Sequence, residues 1–319
     1  MIHQYKNNGF NIVMDVNSGS VHVVDEIVYD IISLMEPFIM EGITDTELIK
    51  AAVLSCVNVK HSKEEILEAV EEVLELHKAG QLFAPDIYEN YISDFKSRTT
   101  VVKALCLHIA HDCNLACQYC FAEEGEYHGR RALMSLEVGK KALDFLVKNS
   151  GNRVNLEVDF FGGEPLMNWP VVKELVEYGR SLEEPNHKNF RFTLTTNGIL
   201  LNDEIMEYAN KEMANIVLSI DGRQEVNDNM RPFRGGQGSY DLIVPKFQKL
   251  AASRNQMNYY VRGTFTRNNM DFAQDVLHLA DLGFQQISVE PVVAEAGESY
   301  AIKEEDLSLL KAEYDKLAL

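Results

Sequence analysis

Apolar and polar residues alternate through "FNIVMDVNSGSVHVVD" on both sides of Asn17-Ser18-Gly19-Ser20. A period of two interrupted by turn-forming residues predicts a β-hairpin. The period then lengthens to that of a helix. "EIVYDIISLMEPF" repeats Ile27, Ile31, Leu34 and Met35 on one face, and "TDTELIKAAVLSC" opens on Thr44 with Glu47 three residues later, a capping-box pattern. "SKEEILEAVEEVLELHKAG" starts from Ser62 with Glu65 in the same relation and stops at Gly80. A hairpin followed by three helices predicts a small winged-helix-like α+β domain over residues 1–92. "SDFKSRTT", residues 93–100, is polar and aperiodic and reads as a linker.

From residue 101 to 319 the two periods take turns. Strands are predicted at "VVKALCLHIA", "RVNLEVDFFGGEP", "FRFTLTTNG", "NIVLSIDG", "QMNYYVRGTFT" and "QISVEPVV", each followed by a helical pattern, the last being "EEDLSLLKAEYDKLAL". Six strand–helix units predict an α/β class: a parallel sheet wrapped by helices, as an open sheet or a partial (βα)6 TIM-type barrel. In such folds the chemistry sits at the carboxyl ends of the strands.

Composition narrows the function classes. With 30 basic against 49 acidic residues the net charge is -19, which argues against nucleic acid or anionic membranes as partners and favours a basic peptide. The glutamate-rich third helix lacks the basic recognition face that a DNA-binding winged helix needs. The exposed hairpin edge suits pairing with an extended peptide instead; the bland alternative is a small domain that merely packs on the rest. No signal peptide or membrane-spanning run is evident, so the expected location is cytoplasmic.

Three of the five cysteines, Cys113, Cys117 and Cys120, fall together in "HIAHDCNLACQYCFAEEG", directly after the first strand of the sheet. Three thiolates round one point would leave one iron of a four-iron cluster open, whereas an electron-carrier site uses four cysteines. The rival is a zinc site completed by His108 or His111. Cys106 and Cys56 are expected to be small buried residues.

"CNLACQYC", with Tyr119 immediately before the last cysteine, resembles the radical S-adenosylmethionine (SAM) enzymes. The resemblance continues through "FFGGEP", "LTTNG", "LSIDG", "RPFRGGQGSY", "VRGTFT" and "ISVEP", in the family's order at successive strand ends. It implies that Cys113, Cys117 and Cys120 ligate a [4Fe-4S] cluster whose free iron binds the methionine moiety of SAM. Tyr119 would flank the adenine, and Glu164 with Gly162 and Gly163 would take the amino group. Asn197 and Ser219 are candidates for the ribose or carboxylate, and Arg262 for the carboxylate. The alternatives are a turn role for Asn197 and an ion pair for Arg262. Asp221 and Arg231 are expected to pair structurally across the fourth loop.

The subgroup resembled joins an N-terminal recognition domain to the barrel, as in clostridial thioether-forming maturases of a six-cysteine, ribosomally made peptide. That implies hydrogen abstraction from an α-carbon and Cys-to-α-carbon bond formation, with residues 1–92 binding the precursor's leader. A ferredoxin or flavodoxin would deliver the electron. These maturases also carry a C-terminal domain with auxiliary [4Fe-4S] clusters; no cysteine follows Cys120, so the sequence is expected to stop short of it. An anaerobic sulfatase-type maturase and a non-enzymatic peptide-binding scaffold are the other readings.

Overall fold

The computed structural model describes residues 1–56, 61–89, 100–123, 125–127 and 129–319. Residues 90–99, which hold the end of the expected recognition domain and nearly all of the expected linker, lie outside the described residues. The chain divides into two units, Met1–Thr99 together with Leu319, and Thr100–Ala318.

In the first unit, β1 (Ile2–Asn7), β2 (Phe10–Asp15) and β3 (Ser20–Val24) form an antiparallel sheet with β2 in the centre. The predicted hairpin is β2–β3. β1 is mostly polar and lacks an apolar period of its own, but Asn8-Gly9 supplies the turn: both residues have positive φ, 49° and 80°, as a two-residue hairpin connection requires. Helix α1 (Glu26–Met40) is capped by Asp25, whose Oδ1 accepts the Val28 N–H at 2.8 Å. Helix α2 (Thr46–Cys56) begins later than expected. Asp45, not Thr44, caps it, accepting the N–H groups of Glu47 and Leu48 at 3.0 and 3.2 Å. A carboxylate there also complements the positive end of the helix dipole. The Ser62–Glu65 capping box of α3 (Lys63–Lys78) forms as predicted, with both reciprocal bonds present. The core joins Val13 of the sheet to Ile31, Ile32 and Met35 of α1, Ile49 of α2 and Val70 of α3.

The second unit is built on β4 (Ala104–His111), β5 (Ala132–Leu133), β6 (Asn155–Gly162), β7 (Asn189–Thr196), β8 (Met213–Ser219), β9 (Tyr259–Phe265) and β10 (Ile287–Pro291). Their order in the sheet is β10-β9-β8-β7-β6-β4-β5. All neighbours are parallel except the short edge strand β5. Each strand–helix unit lays its next strand beside the last, which is how a barrel winds; a doubly wound sheet reverses its order at a switch point. The predicted crossover helices are α4 (Leu136–Asn149), α5 (Trp169–Asn186), α6 (Asp203–Glu212), α8 (Tyr240–Ser253) and α9 (Phe272–Asp281), and α10 (Leu307–Ala318) follows the last strand. A further short helix, α7 (Gln224–Met230), lies in the loop after β8.

Strand alternation splits the sheet into two faces. Ile109, Val158, Phe160, Phe192, Leu194 and Leu218 bury themselves in the main core with the helices. The intervening positions, among them Cys106, His108, Asp159, Phe161, Thr195 and Ser219, belong to the other face. Cys106 is therefore exposed rather than buried, because its neighbours Leu105 and Leu107 are the ones that serve the core; Cys56, in the last turn of α2, is exposed as well. Partial burial and the nearby Asp159 push the Cys106 thiol up to about 11.

Candidate active site

The cysteine loop leaves the end of β4 and is held by backbone before any ligand is considered. The N–H groups of Ala116 and Gln118 donate to the carbonyls of Pro232 (2.8 Å) and Met230 (2.9 Å). Leu115 bridges to Phe233, and the Gln118 side chain donates to the Asn229 carbonyl at 2.6 Å. The strap 229–233 thus fixes the loop that carries Cys113, Cys117 and Cys120. The three thiols face a cavity of about 150 Å³ that is also lined by Gly162, Gly163, Thr195, Asn197, Ser219 and Arg231. Burial pushes the Cys113 thiol up to about 12 and that of Cys117 to about 11. The Leu115 N–H already points at the Cys113 sulfur, at 3.5 Å.

The Gly-Gly-Glu turn presses against this loop. Gly163 N–H donates to the Ala110 carbonyl (2.7 Å) and Glu164 N–H to that of Asp112 (2.9 Å). A Cβ on Gly163 would lie 2.0 Å from the Asp112 oxygen, and one on Gly162, whose φ is +123°, 2.5 Å from the Ala110 oxygen. Only glycine allows this approach. Glu164 does something other than expected. Its side chain is fully buried, does not line the cavity, and accepts from Leu166 N–H (3.0 Å), the Thr196 hydroxyl (2.8 Å) and Asn197 N–H (2.8 Å). Burial raises its pKa while these three donors pull the other way. The carboxylate is a brace between the ends of β6 and β7.

Asn197 makes a turn bond and also lines the cavity. Its Oδ1 accepts the Ile199 N–H at 3.1 Å, a turn bond, while its Nδ2 donates to Asn114 Oδ1 at 2.7 Å within the cavity wall. Ser219 faces the same cavity from the end of β8. Arg262 does not. It is half-exposed, pairs with Glu290 of β10 and is absent from the cavity lining, so the ion-pair reading holds for it. Arg262 stands in register with Ser219 of β8, and its guanidinium pairs with Glu290 of β10, the strand on its other side.

The cavity's guanidinium is Arg231, only 7% exposed. Its Nη1 donates to the Tyr119 hydroxyl at 2.7 Å, and that hydroxyl donates onward to Asp221, whose oxygens lie at 2.9 and 2.8 Å. The expected Asp221–Arg231 pair is thus relayed through Tyr119. Arg231, Thr195 and Thr196 lie within the strand-end motifs and also line the cavity; nothing in their spacing announces which face they take.

These residues fit an iron–sulfur cluster with an anionic ligand beside it. Among the described residues, no three His, Cys, Asp or Glu side chains converge on a single metal ion. The thiols are spread round a cavity, as a multi-iron cluster requires, and both histidines of the zinc alternative stack on Tyr127, with ring centroids 4.5 Å (His108) and 4.7 Å (His111) away. The buried Nε of Arg231 has no partner among the described residues, an unfilled donor that a carboxylate would satisfy.

Comparison with known proteins agrees. Residues 102–244 match the family model of a 4Fe-4S single cluster domain. An uncharacterised protein of Methanocaldococcus jannaschii is 29% identical over 59% of this chain and 62% of its own length. The radical SAM cyclopropyl synthase TigE of Paramaledivibacter caminithermalis is 26% identical over 54% of this chain and 39% of its own. A cysteine-type anaerobic sulfatase-maturating enzyme of Clostridium novyi is 26% identical over 49% and 42%. The structure of native anSMEcpe with bound AdoMet and Kp18Cys peptide has the same fold, with TM-score 0.60 at 18% identity, covering 68% of this chain and 60% of that one. The chain thus spans less than two thirds of the length of these relatives. No helix among the described residues is long and apolar enough to cross a membrane.

Proposed function

We propose that the chain is a radical SAM enzyme, a reading supported by the match to a 4Fe-4S single cluster domain and by the similarity to a radical SAM cyclopropyl synthase, and that it modifies a ribosomally made peptide, removing a hydrogen from an α-carbon so that a peptide cysteine can form a thioether there. The observation that carries the reading is the cavity itself: Cys113, Cys117 and Cys120 on one side, the Gly162-Gly163 backbone and the strand-end groups Thr195, Asn197 and Ser219 on the other, with Arg231 between them. When bound, a [4Fe-4S] cluster and SAM supply reductive cleavage of the sulfonium carbon–sulfur bond, and with it a 5′-deoxyadenosyl radical.

The chain's own residues do the positioning. Cys113, Cys117 and Cys120 would hold the cluster. Gly162 and Gly163 offer close backbone to the amino group of SAM. Arg231 offers the donor for its carboxylate, while Asn197 and Ser219 reach the ribose. Tyr119 is fixed by Asp221 and Arg231 and flanks the adenine with its ring. The Glu164 brace keeps the β6 and β7 ends in register, which matters because reacting atoms must be held within a few tenths of an ångström.

Residues 1–92 would bind the leader segment by strand addition. β3 is an edge of its sheet, with Val21 and Val23 exposed, and it offers backbone donors and acceptors to an extended peptide. A ferredoxin or flavodoxin would supply the electron. The similarity to a sulfatase-maturating enzyme supports a second reading, oxidation of a cysteine or serine β-carbon on a protein. Co-expression with a candidate cysteine-rich precursor peptide, followed by mass spectrometry, separates the two. A thioether removes two hydrogens and blocks the cysteine to alkylation, whereas β-carbon oxidation of cysteine releases sulfide and leaves an aldehyde.

A further inference from the structure

Tyr119 bridges two buried charged side chains that enter the cavity unequally. Arg231 lines it and Asp221 does not. Asp221 is 2% exposed and is held from behind by the Thr264 N–H at 3.0 Å. Arg231 is fixed along its backbone too: its N–H donates to the Asn227 carbonyl at 2.7 Å, and its own carbonyl accepts the Ser239 hydroxyl at 2.8 Å. Both side chains are buried, and both are hydrogen-bonded to the Tyr119 hydroxyl. The pair is therefore an oriented dipole with its positive end against the three cysteines.

We propose that this Arg231–Tyr119–Asp221 relay sets the reduction potential of the iron–sulfur centre held by Cys113, Cys117 and Cys120. The inference rests on the cluster reading above. One-electron reduction adds a negative charge beside the guanidinium. A buried guanidinium stabilises that added charge more than one surrounded by water would. The Asp221 carboxylate, farther back, opposes it and offsets part of the gain. The two substitutions must then act in opposite directions: loss of the cation makes reduction harder, and loss of the anion makes it easier. A purely structural role would lower cluster occupancy in both variants without moving the potential of the clusters that remain.

The test is an anaerobic redox titration of the reconstituted full chain with dithionite, followed by electron paramagnetic resonance and without added SAM. Arg231→Gln is expected to make reduction about tenfold less favourable, about 59 mV for one electron. Arg231→Lys, which keeps the charge, should restore most of that, and Asp221→Asn should shift the equilibrium several-fold the other way. Unchanged midpoints, or shifts of the same sign in Arg231→Gln and Asp221→Asn, would overturn the proposal. If Arg231→Gln retains no iron, Asp221→Asn decides: an upward shift supports the relay and any other result overturns it. A wild-type protein with no reducible four-iron signal would instead refute the cluster assignment itself.

Discussion

The Glu164 carboxylate accepts the backbone N–H of Asn197 at 2.8 Å, joining two strand ends that the sheet ladder itself does not reach. Glu164→Gln would put an amide N–H₂ in place of one of its two oxygens, opposing either the Asn197 N–H or the Leu166 and Thr196 donors that it now satisfies. Loss of about 2–4 kcal/mol is expected, read as a lower urea midpoint with an unchanged m-value. An undiminished midpoint would mean that the brace is dispensable.

Gly163→Ala places a methyl group 2.0 Å from the Asp112 carbonyl oxygen. The cysteine loop must shift to admit it, at a cost of about 1–3 kcal/mol. The expected result is a lower melting temperature and less iron retained after reconstitution and desalting. Wild-type iron content would show that the loop and the turn need not be this close.

Asp159 is a largely buried carboxyl whose pKa is raised by burial, against a Thr195 hydrogen bond and the Arg262 charge. A raised carboxyl pKa favours the fold fully below the unfolded value, about 3.9, and that contribution is lost as pH rises through the folded value. Asp159→Asn should therefore melt higher than wild type at pH 7, with the difference shrinking toward pH 4. A difference that grows on acidification would reverse the sign of the burial effect.

Arg262→Ala should leave SAM affinity within about twofold of wild type, since its guanidinium pairs with Glu290 and is not part of the cavity lining, and an exposed ion pair contributes at most about 1 kcal/mol. Equilibrium dialysis of the reconstituted protein measures this. A tenfold loss would return Arg262 to the cofactor site.

Much of this architecture was legible in the chain. Strand–helix periods located all six units of the sheet, and Ser62 with Glu65 marked a helix start to the residue. The errors share a cause. Thr44 and Asp45 are both good caps, and local spacing cannot show which oxygen reaches the free N–H groups. Cys106 looked like core because a strand alternates faces, and only the sheet fixes which face the helices cover. Glu164 and Arg262 could each have met a cofactor through their side chains, and Arg231 could have paired with Asp221 directly. Their roles are decided by contacts with Asn197, Tyr119 and Glu290, which lie 28 to 112 residues away in sequence. Long-range pairing of this kind leaves no local signature.

The most direct test of the central claim is anaerobic reconstitution with iron and sulfide, followed by SAM and dithionite, with 5′-deoxyadenosine quantified by chromatography. The account predicts 5′-deoxyadenosine from the wild-type chain and none from Cys117→Ala. A wild-type protein that carries a spectroscopically confirmed four-iron cluster, binds SAM and still releases no 5′-deoxyadenosine would contradict it.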